Sequence, residues 1–320
     1  MLAVSVLLAI AATLSLAIGA YPIPLARVLD GTLSDSEWSV LTRLRVPRVL
    51  ASCVGGVAFA TAGAALQSLF RNPLAEPGLL GVPSAAGLGA ATALIVLGHG
   101  TGLWLGALIG AGIVMLGMLM AMRRTASNLV GGTITLLLLG VAINAACAAG
   151  IALLTALATE GELKTLAFWM LGSFASLTWP QVIAMATATM LGALALGRES
   201  PALGALALGE RSARMVGVSV TRLRLRIALV TTAMVACVTA FCGSVAFVGL
   251  AAPHIARLMV GAAPRRVLPL SALLGALLCV LADLVARAIA APIELPVGAI
   301  TSILGVPLMV WLVTRRTSAL

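Results

Sequence analysis

The stretch from Val46 to Val82, VPRVLASCVGGVAFATAGAALQSLFRNPLAEPGLLGV, constrains this chain more than any other. A run rich in Gly and Ala covers 24 residues from Pro47. At about 1.5 Å per residue a helix of that length crosses a hydrocarbon core of about 30 Å. The run ends in a polar loop, Arg71 to Gly78, closed by Pro73 and Pro77, and a second apolar segment starts at once. The chain therefore enters the membrane behind Arg45 and Arg48, crosses it, turns at a compact loop and returns.

The rest of the chain repeats that hairpin. Of its residues 61% are hydrophobic and 9% charged, with a mean hydropathy of +1.15. A soluble domain does not have so little charge. The class is an all-α, polytopic membrane protein forming one transmembrane domain over 1–320. Ten apolar segments are readable, at about 2–20, 47–70, 79–98, 101–122, 129–157, 181–197, 226–242, 244–261, 268–290 and 297–314. Their unequal lengths predict tilts and breaks. The opening segment lacks a basic stretch before it and many spans follow, so it reads as a retained first helix. Small residues throughout predict close backbone approach, because in lipid no hydrophobic drive holds helices together.

Ten spans put both termini on one side. With the termini in the cytoplasm, the inner loops carry 14 of the 20 basic residues and the outer loops carry Arg27, Arg43, Arg45, Arg48, Lys164 and Arg287. The positive-inside rule favours this orientation. The net charge of +10 is thus read as topology, and nucleic acid is not a partner. Arg43, Arg45 and Arg48 break the rule locally, which points to something acidic docking there. The longest inner connection is 198–226, RESPALGALALGERSARMVGVSVTRLRLR. Two short helices around Gly209 and Gly217 would make it a partly apolar surface, either lying on lipid headgroups or docking a soluble partner.

Several chemistries are excluded. Lys164 is the only lysine, so no GxxxxGK[ST] nucleotide loop exists and the chain has no ATPase site of its own. Neither His99 nor His254 has a Ser, Asp or metal-ligand neighbour at a diagnostic spacing, so no catalytic residue and no metal site is assigned. The five cysteines all lie in apolar runs and read as small buried hydrophobes. Asp283 is the one acid deep in an apolar run, and Arg287 follows one helical turn later. The two either pair with each other or face the pathway or the outer surface. Asn144 either hydrogen-bonds between helices or lines a polar path. Phe168, Trp169, Met170 and Trp179 flank an outer loop at 158–180 and read as interfacial anchors.

Seven motifs in order give a resemblance. They are Arg45-Val46-Pro47-Arg48; Gln67 to Gly81, QSLFRNPLAEPGLLG; Trp169 to Ser173, WMLGS; Leu208-Gly209-Glu210 with Met215 to Val218; Gly243 to Arg257, GSVAFVGLAAPHIAR; Ala282-Asp283 with Arg287; and Glu294 to Gly298. The chain resembles the FecCD/BtuC family, permease subunits of bacterial ABC importers for cobalamin, haem and ferric siderophores, almost end to end.

The resemblance implies a BtuC-like, type II importer bundle of ten helices in the bacterial inner membrane. A second permease subunit, with a homodimer favoured, would share a central path. Two cytoplasmic ATP-binding subunits would dock on the 198–226 loop through Leu208, Gly209, Glu210, Arg211, Met215, Gly217 and Val218, and would hold the ATP. A periplasmic substrate-binding protein would meet Arg45, Arg48 and Arg287. Asn72, Pro73, Pro253, His254 and Asp283 are motif positions with structural roles. No permanent cofactor is implied; haem or another iron chelate would be cargo. The segments around Asn144 and Trp169 lean toward haem, with Asn144 and Thr155 as sparse polar points on the path. Lys164 either meets a haem propionate or is a solvated loop lysine. A stand-alone secondary transporter would need charged coupling residues inside the bundle, and only Asp283 qualifies.

Overall fold

The computed structural model describes residues 1–19, 21, 23–98, 102–125, 132–175, 177–289 and 294–317. Among them the secondary structure is helical throughout, without a strand. Helix α1 is Leu2–Ala17, followed by the short α2, Leu25–Leu29. Helix α3, Asp35–Val40, opens on a capping box in which Ser34 and Glu37 satisfy each other's backbone N–H groups. A π turn, Leu41–Arg45, carries it without a break into α4, Val46–Phe70. The loop that follows is built by its own residues. Arg71 takes a left-handed conformation, Asn72 Oδ1 accepts from the Leu74 N–H at 2.9 Å, and Pro77–Leu80 forms a 3-10 turn.

Then come α5, Val82–Ala91, extended by a π turn over Thr92–Val96; α6, Leu103–Thr125; and α7, Gly132–Thr155. Helix α8, Glu160–Leu171, starts on a second capping box, Thr159 with Glu162. The remaining helices are α9, Trp179–Ala207; α10, Glu210–Met215; α11, Val220–Cys242; α12, Val248–Val260; α13, Pro264–Ala288; and α14, Val297–Thr317. Each of the ten apolar segments is a helix. Six are long and apolar enough to cross a membrane, and Leu2–Ala17, Val82–Val96, Val248–Val260 and Val297–Pro307 are shorter.

Helix α4 is the axis of the bundle, with α9, α11, α12 and α13 packed around it. Its small residues are the reason. A Cβ on Gly56 would collide with the backbone of Gly275 in α13, and one on Gly63 with the Gly249 carbonyl in α12. Ala58, Ala60, Ala62, Ala64 and Ala65 are wholly buried. Close backbone contact of this kind is how apolar helices hold together where no water drives them.

Two stretches differ from the sequence reading. The connection at 198–226 is mostly helix: α9 runs on to Ala207, through Pro201, and α11 starts at Val220. One six-residue helix, α10, stands where two were expected. Leu196, Ser200, Leu203 and Leu206 form a buried stripe at helical spacing, and this stripe carries α9 past the proline. The stretch read as an outer loop at 158–180 contains the twelve-residue α8.

Candidate functional site

At one end of the bundle, α1, α4 and α13 are joined by buried charges. Helix α1 has no basic residue in its last turn, so its terminal carbonyls need donors from elsewhere. Arg45, in the π turn before α4, donates to Ala17 O at 2.8 Å and to Leu16 O and Tyr21 O. Arg287 of α13 donates to Ser15 O at 3.0 Å and to the Ser15 hydroxyl. Two cations thus sit at the negative end of the α1 dipole. Arg48 Nε donates to both oxygens of Asp283, at 3.0 and 3.1 Å, and Arg48 Nη1 donates to Glu294 Oε1 at 2.6 Å. Asp283 is fully buried.

The expected pair within α13 is present, with Arg287 Nε 3.3 Å from Asp283 Oδ2, but the N–H is not aimed at that oxygen. The stronger partner of Asp283 is Arg48. Arg48 Nη2 is buried without a partner among the described residues. Arg45, Arg48 and Arg287 are 5%, 6% and 8% exposed, so all three guanidinium groups are engaged inside the chain. Arg43, just before them in the π turn, is exposed, as is Arg27, which pairs with Glu37 at 2.9 Å.

Glu294 leads from the ion cluster into a cavity of about 730 Å³. Trp104 of α6, Phe168 and Trp169 of α8, Gln181 of α9 and Phe241 of α11 also line it. The Trp104 and Phe241 rings lie 5.6 Å apart, tilted by 36°. Behind the cavity the ends of α8, α11 and the start of α14 are stitched together by backbone: Ser173 N–H donates to Cys242 O at 2.8 Å and Val297 N–H to Gly172 O at 2.9 Å. Trp169 Nε1 is buried without a partner among the described residues. The one carboxylate on the described wall, Glu294, is already matched by Arg48. Four aromatic side chains among mostly apolar neighbours, with the carboxylate paired, make a cavity able to hold a bulky, largely apolar molecule. Sequence reasoning missed this cavity. Its signal was composition: the chain has only 5 Trp and 6 Phe, and two of each meet here.

Helix α9 starts beside Thr42, whose carbonyl accepts from Trp179 Nε1 at 3.1 Å. It then runs 29 residues to the far end of the bundle. There α10 sits between Gly209 and Gly217, whose φ angles of 116° and 84° suit glycine alone. Leu208, Met215 and Val216 are 80%, 76% and 69% exposed, beside the exposed Arg211 and Arg214. Val218 is half-buried. Glu210 holds the turn in place by pairing with Arg214 at 3.2 Å and with Arg224 of α11. The end is a small apolar patch in a basic frame, supported by a fixed ion pair.

The other sequence-singled residues fall in several places. Asn144 ties α7 to α5 and to the loop after α4: it accepts from Ser84 Oγ at 2.6 Å, and its Nδ2 donates to Gly78 O at 3.1 Å. The Thr155 hydroxyl donates to Ala152 O, within its own helix. Lys164 is exposed on α8, away from the described cavity wall. Pro253 and His254 are buried in α12, and Pro73 is half-buried in the loop. His99 lies outside the described residues. In the loop after α4, burial pushes the Glu76 carboxyl above its ordinary range. At α8, hydrogen bonds from the Thr159 backbone and hydroxyl hold the Glu162 carboxyl below it.

A bundle of apolar helices around one buried axis, with an ion-locked end, a cavity beside it and an exposed apolar turn at the far end, defines a polytopic membrane protein. The chain belongs to the FecCD transport family, whose model matches residues 7–315. It is similar to the hemin transport system permease protein HmuU of Yersinia pestis, with 34% identity over 97% of this chain and 94% of the relative. It is also similar to the vitamin B12 import system permease protein BtuC of Citrobacter koseri, with 38% identity over 97% of this chain and 92% of the relative. A solved metal-chelate type ABC transporter in an inward-facing conformation superposes with a TM-score of 0.88, at 30% identity and 98% coverage of both chains. The protein is thus a permease of the ABC-importer type.

Proposed function

We propose that this permease moves haem across a bacterial inner membrane, from a periplasmic binding protein to the cytoplasm, at the expense of ATP hydrolysed on separate subunits. The observation that carries the cargo is the cavity of two Trp, two Phe and one neutralised carboxylate. The likeness to a hemin permease supports it. Cobalamin is the second reading, favoured by the 38% identity to a vitamin B12 permease; a ferric siderophore is the third.

In this reading both termini are cytoplasmic, as the charge count favours. Two ATP-binding subunits dock at α10 on Leu208, Met215 and Val216, and closure of that motor moves packed helices as rigid bodies. A second copy of the chain completes the path along α7. The binding protein docks at the arginine end. The cluster there holds three cations against two carboxylates, so its field attracts acidic side chains. With Arg45, Arg48 and Arg287 engaged internally, the exposed Arg43 makes first contact.

The test is uptake into vesicles holding the permease, its ATPase and its binding protein. Haem, cobalamin and a ferric siderophore are offered in parallel, with and without ATP. ATP-dependent uptake of haem alone supports the proposal. Uptake of another cargo moves the protein to that branch, and uptake without the ATPase overturns the importer reading.

A further inference from the structure

At the α10 end of the bundle a groove of about 580 Å³ opens between α9 and α13. Met190, Leu194 and Gly197 form one wall and Ala272 is on the other; the floor includes Thr61, whose hydroxyl is already bonded to Val57 O at 2.7 Å. From Met190 to Ser200 the groove follows eleven residues of α9. That is about 15 Å of helix, half of a hydrocarbon core of about 30 Å, so the groove is as deep as one leaflet. The one charged residue on its described lining is Arg265, at the mouth.

Arg265 is exposed and makes no ion pair among the described residues. Arg226 of α11, by contrast, is matched by Glu199 of α9 at 3.0 Å. Arg265 is the second residue of α13, a 25-residue helix, so the positive end of that dipole adds to its charge. Arg266 and Arg198 are exposed at the same end and are likewise without an ion pair among the described residues. A second groove, about 480 Å³ between α5, α6 and α7, has no charged residue on its described lining. Apolar walls alone would accept any acyl chain. An unmatched arginine at the mouth selects the headgroup.

We propose that the α9–α13 groove is a binding site for one anionic phospholipid, with an acyl chain along the groove and the phosphate on Arg265. The occupant is a lipid and not a free anion, because the groove behind the arginine is apolar for the depth of a leaflet. This rests only on the chain spanning a membrane and is independent of its cargo.

The experiment is native mass spectrometry of the full chain, released from micelles holding equal dioleoyl phosphatidylglycerol and dioleoyl phosphatidylcholine. A parallel arm contains inorganic phosphate in place of lipid. The expected result is retention of one phosphatidylglycerol over phosphatidylcholine by about fivefold, the selectivity that one interfacial arginine supplies. Arg265→Gln should bring the ratio near one, Arg265→Lys should restore most of it, and Ala272→Trp should lower retention of both lipids. Unfolding midpoints of the variants, read in the same micelles, should match the parent. The proposal is overturned if Arg265→Gln keeps the preference, or if phosphate alone binds the parent as well as the lipid does. It is also overturned if Ala272→Trp spares lipid retention but splits a dimer, since the groove would then be an interface between copies.

Discussion

Helices α4 and α7 are near twins in sequence character and opposites in the fold. They have 25 and 24 residues, both apolar and rich in Gly and Ala. Yet 78% of the most apolar stretch in Asp35–Phe70 is buried within the chain, against 11% in Leu137–Thr155. Helix α4 presents glycine to a neighbouring backbone on two sides and holds polar groups at both ends. Arg48 meets Asp283 and Glu294 at one end, and Gln67 donates to Gly249 O and accepts from Arg257 at the other. Helix α7 is held along one side, where Gly140 meets the Leu79 carbonyl, Gly150 meets Leu88 and Asn144 reaches the loop. Leu138, Val141 and Leu153 face outward. In lipid an exposed leucine costs nothing, so hydropathy cannot tell a central helix from a peripheral one. Glycine set against backbone and polar groups with fixed partners make the difference.

The largest effect should come from the ion lock of α4. Asp283→Ala leaves buried arginines facing one half-exposed carboxylate and should cost about 3–5 kcal/mol, read as detergent-induced unfolding. Adding Arg48→Met should recover part of that loss, because the orphaned cation goes with it. Leu138→Ala on α7, an exposed site, should stay within about 0.5 kcal/mol. If the two single variants lose equal stability, the contrast between the helices fails. Glycine gives the second comparison. Gly56→Leu drives a side chain into the Gly275 backbone and should cost about 3 kcal/mol. Gly150→Ala on α7 meets only the end of the Leu88 side chain, which can turn aside, and should cost under about 1 kcal/mol. Melting midpoints in one detergent check both.

These contrasts also show what the sequence could reveal. All ten apolar segments were legible, because lipid demands apolar length wherever the chain crosses. The arginines at 43, 45 and 48 stood out as a local exception to the charge count, and Asp283 with Arg287 as a helical pair. Their partners were not legible. The carbonyls at the end of α1 carry no side-chain signature, and Arg48 reaches Asp283 across 235 positions of sequence. The cavity was hidden for the same reason, since its wall is assembled from helix ends far apart in the chain. Helix α8 had a readable start in Thr159 and Glu162, and its aromatics drew attention away from it. At 198–226 the charges and glycines read as a long connection, while the buried Leu203 and Leu206 kept α9 going past Pro201.

Asn144 tests the polar tie from α7 to α5 and to the loop after α4. Replacement by Leu removes the bonds to Ser84 and to the Gly78 carbonyl, and the loss should be about 1–2 kcal/mol. The variant should also loosen the loop after α4, seen as faster amide exchange around Gly78 and Leu79. Faster exchange in α7 with an unchanged loop would mean that the loop is held by α4 alone.

The smallest effect on the single chain, and the sharpest on the comparison, belongs to the open face of α7. Ala145 is exposed there. Ala145→Trp should leave the monomer's melting midpoint within the range of an ordinary surface change, about 0.5 kcal/mol. If α7 lines a path shared with a second copy, the same variant should reduce dimer content several-fold in nanodiscs, since one bulky ring between close-packed helices forces them apart. A loss of dimer with an intact monomer would show that α7 is as buried as α4 once the assembly forms, and that its sequence resembles α4 for that reason. An unchanged dimer would place lipid against this face and leave α7 a peripheral helix in the assembly as well as in the chain.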